Sequence, residues 1–334
     1  MRGIRLQKNL PEIMPLLLDR GVDINAINNA GYTALHIAVA HKRSRETLEI
    51  LLKHGADVNV VNRRGETPLH VALRNMGRCA QNRAGRMTLL LEHSVDVNAI
   101  DCQKSTALHL AIMLPKNRKL IKALMEHGAN PNIKNADGFT ATHLAASTAQ
   151  VYAIKLFLDQ GANIDVTDNQ GRTALDVLVA LGVHEPVAQI IFHGTPVDAV
   201  DAQGQTLLHC AVSTNATLSA RLILDHGADI NALDGKGLTA LRLAVEARAR
   251  DPAALLLERG AAVDAAAPDG TTALHSIAQF PLDLDPLWWV TLFLEHGADP
   301  NTKDGKGKMP LHYARTGAVR RQLLWFGADR LVMV

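Results

Sequence analysis

The chain has 334 residues, 47% of them hydrophobic and 20% charged, and its formal net charge at pH 7 is +2. This balance gives no general attraction to nucleic acid, and no window of about 18 apolar residues offers a membrane span. Cys79, Cys102 and Cys210 are an odd number at unrelated positions, which argues against a disulfide framework and fits a reducing compartment. Because MRGIRLQKNLPEIM lacks an apolar signal-peptide core, we expect an intracellular protein, cytoplasmic or nuclear.

The first 28 residues supply one predicted helix, PEIMPLLLDRG, and are either an N-terminal half-repeat cap or the start of a piece of a longer protein. One phrase then recurs along the rest of the chain. It reads GYTALHIAV at Gly31, GETPLHVAL at Gly65 and KSTALHLAI at Lys104, and it returns at Gly138, Gly171, Gly204, Gly237, Gly270 and Gly307. Most intervals are 33 or 34 residues, and a second phrase, such as LLKHGADVN or LILDHGADIN, follows at a fixed distance. The residues between the two phrases have helical periodicity.

These linked phrases resemble the ankyrin repeat over nearly the whole chain. The resemblance implies an all-α fold with short β-hairpin fingers, an ankyrin-repeat α-solenoid in which helix-turn-helix units form a curved, right-handed stack. We expect one array over 1–334, in which 1–28 is the half-repeat cap and 303–334 a shortened C-terminal capping repeat. Eight full repeats occupy 29–302, with insertions near 76–86 and 281–286. The cap is numbered repeat 1 and the last unit repeat 10.

The motif residues have individual physical roles. The threonine before Ala-Leu-His suits a helix N-cap, and the glycine of HGAD suits the left-handed end of a helix. Ser94 and Lys104 stand where the repeat has glycine, at a cost of about 1–2 kcal/mol each. We therefore predict that the junction of repeats 3 and 4 is the softest interior point of the array.

The 15 histidines suggest metal at first sight, but the repeat explains all except His41 and His184. One motif position holds His36, His70, His109, His143, His209, His275 and His312, and the position before the terminal glycine holds His54, His93, His127, His193, His226 and His296. Equivalent residues of stacked helices lie about 8–10 Å apart, whereas zinc needs its nitrogens at about 2.0–2.1 Å. We therefore expect no metal and no cofactor. The resemblance implies that the first set forms hydrogen bonds between repeats, so Asp176 and Arg242, which replace histidine, should each lose one.

The turns between the two helices are basic in the N-terminal third. The cations are Lys42, Arg43, Arg45, Arg74, Arg78, Arg83, Arg86, Lys116, Arg118 and Lys119. One interpretation is that they complement helix dipoles and keep the turns solvated. The other is a docking edge for an acidic partner.

Partners of the family usually lie in the concave groove, against finger tips and the exposed side of the first helix of each repeat. Carrying these places over gives the partner-binding candidates Tyr32, His41, Arg63, Arg64, Arg74, Met113, Phe139, Arg172, Leu181, Leu238 and Phe280. Of these, Tyr32, His41 and the three arginines form the sharpest cluster, which could hold a carboxylate or a phosphorylated segment. The alternative is that scattered arginines only keep the surface soluble.

The leading hypothesis is a non-enzymatic interaction scaffold or adaptor, monomeric by itself, that binds another protein or peptide in the concave groove; an acidic partner is one option. One alternative is a small-molecule or catalytic site near Tyr32, His41 and Arg74, although no triad or phosphate loop is recognisable. Nucleic-acid binding by the basic turns is disfavoured, because aromatic residues for base stacking are missing there. Asn59, in LEILLKHGADVN, resembles a place where some ankyrin proteins are hydroxylated.

The segment FPLDLDPLWWV holds two of the three tryptophans. We expect Asp285 as N-cap and Pro286 as the first helical residue. Trp289 would then join Leu284 in a hydrophobic staple. Trp288 points about 100° away around the helix, so we predict that it joins Phe280 and Leu282 in an apolar contact patch.

Overall fold

The computed structural model describes residues 13, 15–17, 19–40, 45–74, 83–192, 194, 196–281 and 285–329, without the side chains of 83, 84, 184, 185 and 189. The chain forms two compact units, Met1–Asn169 and Gln170–Val334. Each is described by itself below. Within the described ranges, no helix is long and apolar enough to cross a membrane.

Unit 1 consists of paired helices, a shorter first helix and a nine-residue second helix in each repeat. The pairs are Ala34–Ala40 with Arg45–Lys53, Pro68–Arg74 with Arg83–Leu91, Ala107–Ile112 with Arg118–Glu126, and Ala141–Ser147 with Val151–Asp159, for repeats 2 to 5. Residues 13 and 15–17 are also helical, where the sequence predicts the helix of repeat 1.

Unit 2 has the same paired organisation, but the second helix of repeat 9 has ten residues. Its pairs are Ala174–Ala180 with His184–Phe192, Leu207–Ser213 with Thr217–Asp225, Ala240–Glu246 with Arg250–Glu258, Ala273–Ala278 with Pro286–Glu295, and Pro310–Tyr313 with Gly317–Trp325, for repeats 6 to 10. In both units the first helices of neighbouring repeats pack on one another. The division into a cap, eight full repeats and a final short repeat stays a prediction.

The core follows from the motif. The leucine before the motif histidine is fully buried, as Leu35, Leu69 and Leu108 show at 0% exposure. Alanines such as Ala111 and Ala145 are also 0% exposed and add little bulk. Small side chains at these positions allow the first helices to approach closely.

The fingers are tight turns rather than extended strands. In repeat 3, Asn62 N–H donates to Glu66 O (3.0 Å) and Gly65 N–H to Asn62 O (2.9 Å). Neighbouring fingers are joined through the backbone, for example from Arg63 N–H to Ala30 O (3.3 Å). Among the described residues, β-pairing consists of isolated antiparallel bridges, Val200 with Thr206 and Leu233 with Thr239.

The motif histidine links the first helix to the next repeat, as predicted, at His36, His70, His109, His209 and His275. In repeat 2, Thr33 N–H donates to His36 Nδ1 (3.2 Å), so Nε2 carries the proton and donates to Glu66 O of repeat 3 (3.0 Å). The same cross-repeat bond joins His70 to Ser105 and His209 to Leu238. Burial lowers the pKa of His36 and His70, which favours this neutral form.

The two substitutions of this histidine have different outcomes. Asp176 accepts from Thr173 N–H (2.6 Å) and so keeps the N-terminal cap. Its carboxylate makes no bond to repeat 7 among the described residues, in line with the expected loss. The expectation for Arg242 is wrong, because its longer side chain reaches Thr271 O of repeat 9 (3.3 Å).

A second ladder runs through the asparagines of the GADVN phrase. Asn98 Oδ1 accepts from Asn130 N–H of the next repeat (2.7 Å), and Asn98 Nδ2 donates to Gly128 O (3.0 Å). Repeat 8 ends instead with Asp264, which still accepts from Asp299 N–H (2.9 Å). Its other oxygen is buried without a hydrogen-bond partner in the described structure, and burial raises the pKa of this carboxyl group.

The two glycine replacements adopt the predicted left-handed backbone. Ser94 has φ of 47° and Lys104 has φ of 54°. The softness of this junction stays a prediction.

Candidate functional site

Arg74, the last residue of the first helix of repeat 3, is held by two carboxylates. Its Nε lies 2.7 Å from Glu66 Oε1, and its guanidinium also pairs with Asp101 of repeat 4. The other oxygen of Glu66 accepts from Asn62 Nδ2 (2.8 Å). The Glu66 and Asp101 side chains are only 4% and 0% exposed. Arg74 therefore compensates two buried charges and ties repeat 3 to repeat 4.

This network changes the predicted basic cluster. Arg74 is already paired with the carboxylates of Glu66 and Asp101. His41 lies outside the described residues. Tyr32 is half-buried, with its ring edge-on to His36 at 5.5 Å. Arg63 and Arg64 are exposed, and in the part of the chain that the structure describes no carboxylate pairs with their side chains. Of the described members, Arg63 and Arg64 are therefore exposed without an ion pair, and the place of His41 in the cluster stays a prediction.

The predicted basic edge of the helix-helix turns is wrong at Arg86. This side chain is buried, and its Nη1 donates to Val39 O (2.9 Å), at the end of the first helix of repeat 2. It thus stabilises the negative end of a helix in a neighbouring repeat. Arg45 is paired with Glu49 (2.8 Å). Residues 42, 43 and 78 lie outside the described residues, as does the side chain of residue 83.

One register of the first helix is exposed in repeat after repeat. It lies four residues after the motif histidine and holds Arg74, Met113, Ser147, Ala180, Ser213, Glu246 and Gln279. Met113 is 60% exposed, and Leu181, one residue after this register, is 52% exposed. Phe139, Arg172 and Leu238, one residue after the finger glycine, are half-buried. The candidate surface of each unit therefore combines exposed first-helix residues with partly covered finger residues.

Sequence reasoning missed a row of exposed apolar side chains on the fingers. Ile27, Val61 and Ile100, each directly before the finger Asn or Asp, are 63%, 52% and 49% exposed in unit 1. We call these three residues the finger stripe. In unit 2, Val200 and Leu233 occupy the same register and are each 59% exposed. The sequence does contain a sign of this row: an apolar residue recurs directly before the Asn or Asp of the finger turn, where the repeat requires no contact with the core.

The two neighbouring tryptophans differ in burial, as predicted. Trp289 is 1% exposed and lies edge-on to Phe280 at 6.1 Å, so it belongs to the core of repeat 9. Trp288 is half-buried, and the Arg250 guanidinium lies 4.8 Å from its ring centroid. Asp285 occupies the N-cap position without a side-chain cap and instead pairs with Arg250 (3.2 Å).

Phe280 and Trp288 each lie edge-on to Trp289, at 6.1 and 5.0 Å between ring centroids, and the apolar patch around Trp288 stays a prediction. The residues 282 and 284 lie outside the described residues. This leaves the predicted contact with Leu282 and the staple between Leu284 and Trp289 as predictions.

Asn59 belongs to the asparagine ladder. Its Oδ1 accepts from Asp96 N–H (2.8 Å), and its Nδ2 donates to Ser94 O (3.3 Å). Access to Asn59 for a modifying enzyme would require these bonds between repeats 2 and 3 to open. Hydroxylation of this residue stays a prediction.

The predicted catalytic group is centred on His41, which lies outside the described residues, so the group stays a prediction. Arg74 is occupied by its ion pairs, and Tyr32 packs on His36. In unit 2, burial raises the pKa of the Cys210 thiol to about 12. A nucleophilic cysteine needs the opposite shift, so the surroundings of the half-buried Cys210 disfavour its thiolate.

Comparison with known proteins agrees with this architecture. A family model describing three copies of ankyrin repeats matches residues 4–82, 78–135, 114–201 and 177–267. Among solved structures, the chain is similar to the ankyrin repeat domain of Bcl-3, described as a unique member of the IkappaB protein family. The identity is 31% and the TM-score 0.59, with 66% of this chain and 98% of that chain covered. A search of curated proteins found no match.

Proposed function

We propose a partner-binding function for this chain, which belongs to the ankyrin repeat family. Ankyrin repeats are generally protein-protein interaction modules, and proteins of this kind are typically not catalysts. Our proposal is that the finger and first-helix surface of each unit binds another protein or peptide, so that the chain serves as a scaffold or adaptor.

One observation carries the proposal: the repeated residues are used inside the array, while the exposed residues differ from repeat to repeat. Leucine, alanine and histidine of the motif are buried or bonded to a neighbouring repeat. The exposed register instead changes from Arg74 to Met113 and Ser147 within unit 1. Met113 in this register is 60% exposed and is therefore available to a partner.

Charge favours an acidic partner for unit 1, because the exposed Arg63 and Arg64 lie on its fingers. We further propose an intracellular setting, cytoplasmic or nuclear, since the described Cys102 and Cys210 are free thiols. We also propose that the chain is monomeric without its partner, which sedimentation equilibrium would test.

Affinity capture followed by calorimetry with the purified captured protein tests the binding surface. The surface variants are Met113→Asp and the double variant Arg63→Glu/Arg64→Glu. The matched control reverses two exposed cations of second helices, Lys53→Glu/Lys155→Glu. We expect the surface variants to weaken binding at least about tenfold, as loss of an interface anchor does. Unchanged binding by both surface variants, with loss in the control, would overturn the proposal.

A further inference from the structure

The finger stripe is a rigid, ordered row rather than a set of scattered hydrophobic residues. Ile27, Val61 and Ile100 take the same place in three successive fingers, directly before the Asn or Asp that closes each turn. The fingers of repeats 3 and 4 are joined by Cys102 N–H and Arg64 O (2.9 Å), in the same way as those of repeats 2 and 3. The three exposed side chains are therefore held at a constant spacing, one repeat apart.

The charge beside this row is positive. Arg63, Arg64 and Lys104 are exposed on the fingers of repeats 3 and 4, and none of them pairs with a carboxylate among the described residues. The carboxylate of Asp101, in the same finger as Lys104, is buried and already paired with Arg74. An occupant of the stripe therefore meets apolar side chains flanked by uncompensated cations, which favours acidic residues beside its own apolar ones.

The spacing of the stripe selects a backbone conformation for the occupant. Packed helices lie about 8–10 Å apart, and we infer the same step for the fingers, because backbone hydrogen bonds join each finger to the next. A polyproline II segment has three residues per turn and rises about 3.1 Å per residue, so every third side chain returns to one face after about 9.3 Å. A β-strand returns to one face after about 6.6–6.8 Å, and an α-helix, over seven residues, after about 10.5 Å. Of these three repeat distances, only that of the polyproline II segment lies within the about 8–10 Å spacing of the repeats.

We propose that the finger stripe binds an acidic, extended peptide segment with apolar side chains at every third residue. This inference rests on the proposed partner-binding function and specifies its ligand in unit 1. The three apolar residues of the segment would lie against Ile27, Val61 and Ile100. Its carboxylates would lie beside Arg63, Arg64 and Lys104.

Selection of a phage-displayed library of random twelve-residue peptides on the immobilised full chain tests this inference. We expect enriched sequences with apolar residues at i, i+3 and i+6 together with Asp or Glu. Binding of a synthetic enriched peptide should fall at least about tenfold with Val61→Asp/Ile100→Asp, as for loss of an interface anchor. It should be unchanged with Leu233→Asp, which alters the same register in unit 2.

A second measurement does not depend on the stability of the variants. Cys102 is exposed and lies two residues after Ile100, so the bound peptide should slow its alkylation in the unaltered stripe. Several outcomes would overturn the inference: no enrichment, a period of two or seven residues, enriched basic sequences, or no protection of Cys102. Peptides with another period that still depend on Val61 and Ile100 would leave the proposed function standing. Peptides indifferent to the stripe, Met113 and both arginines would contradict the proposed function as well.

Discussion

Replacing Arg74 should destabilise repeats 3 and 4 rather than only change a surface charge. The Arg74→Gln substitution removes the guanidinium from Glu66 and Asp101, whose side chains are 4% and 0% exposed. Breaking a fully buried ion pair costs about 3–5 kcal/mol, whereas an exposed pair contributes about 0.2–1 kcal/mol. The Arg74 side chain is 42% exposed, so water compensates part of the loss. We expect a decrease of about 2 kcal/mol in the free energy of unfolding, between these limits.

Hydrogen exchange is the best assay, because stability in a repeat array is largely local. A loss of about 2 kcal/mol corresponds to about a 30-fold loss of protection. The loss should concentrate on finger amides of repeat 4, such as Cys102 N–H, which donates to Arg64 O. Unit 2 amides, such as Asp234 N–H, serve as the internal reference.

Arg63→Gln is the matched control, because this arginine is exposed on the neighbouring finger. A surface change of this kind should alter stability by no more than about 0.5 kcal/mol. Adding Glu66→Gln to Arg74→Gln should recover part of the loss, since one uncompensated buried charge disappears. Equal protection in the Arg74 and Arg63 variants would refute the assignment of Arg74 as the link between repeats 3 and 4.

Three further predictions concern single side chains. In a Cys79→Ser background, iodoacetamide should alkylate Cys102 far faster than Cys210. The pKa of Cys210 rises from 9.0 to about 12, which lowers its thiolate fraction about a thousandfold, and equal rates by mass spectrometry would contradict this. Asp264→Asn should stabilise the chain by about 1–2 kcal/mol at pH 7 in urea denaturation, because the amide can donate where a carboxylate oxygen is unpaired. The gain should shrink as pH falls through the raised folded pKa of Asp264 toward 3.8, since protonation relieves the wild type, and a gain independent of pH would refute this cause. Trp289→Ala should cost about 3–5 kcal/mol and Trp288→Ala about 1 kcal/mol, with thermal unfolding as the readout and equal losses as the contrary result.

Sequence reasoning succeeded where a residue's role depends on its own repeat and the next one. His36 and His70 bond to the following finger because the same motif recurs at nearly the same interval. Ser94 and Lys104 have positive φ because they stand where the repeat demands a left-handed residue. Each of these residues has the role of the equivalent residue in other repeats, so its position in the repeat was enough to predict that role.

Long side chains did not follow the period. Arg74 was expected to bind a partner, and Arg86 to form part of a basic edge. Arg242 was expected to lose the hydrogen bond that the motif histidine makes to the next repeat. The first pairs with two carboxylates, the second caps a helix of another repeat, and the third restores the cross-repeat bond. A flexible cation can reach several acceptors, and the packed neighbours select one.

The sequence by itself determined the repeat, its core, its helix N-caps and its turns, because these are set by bonds and packing within about one period of the chain. The tertiary structure decided which polar and apolar side chains remain available at the surface. Arg63 and the finger stripe stay exposed, while Arg74 and Arg86 are used inside the array. Availability depends on what surrounds a side chain in space, including residues such as Asp101 and Val39 that lie in other repeats.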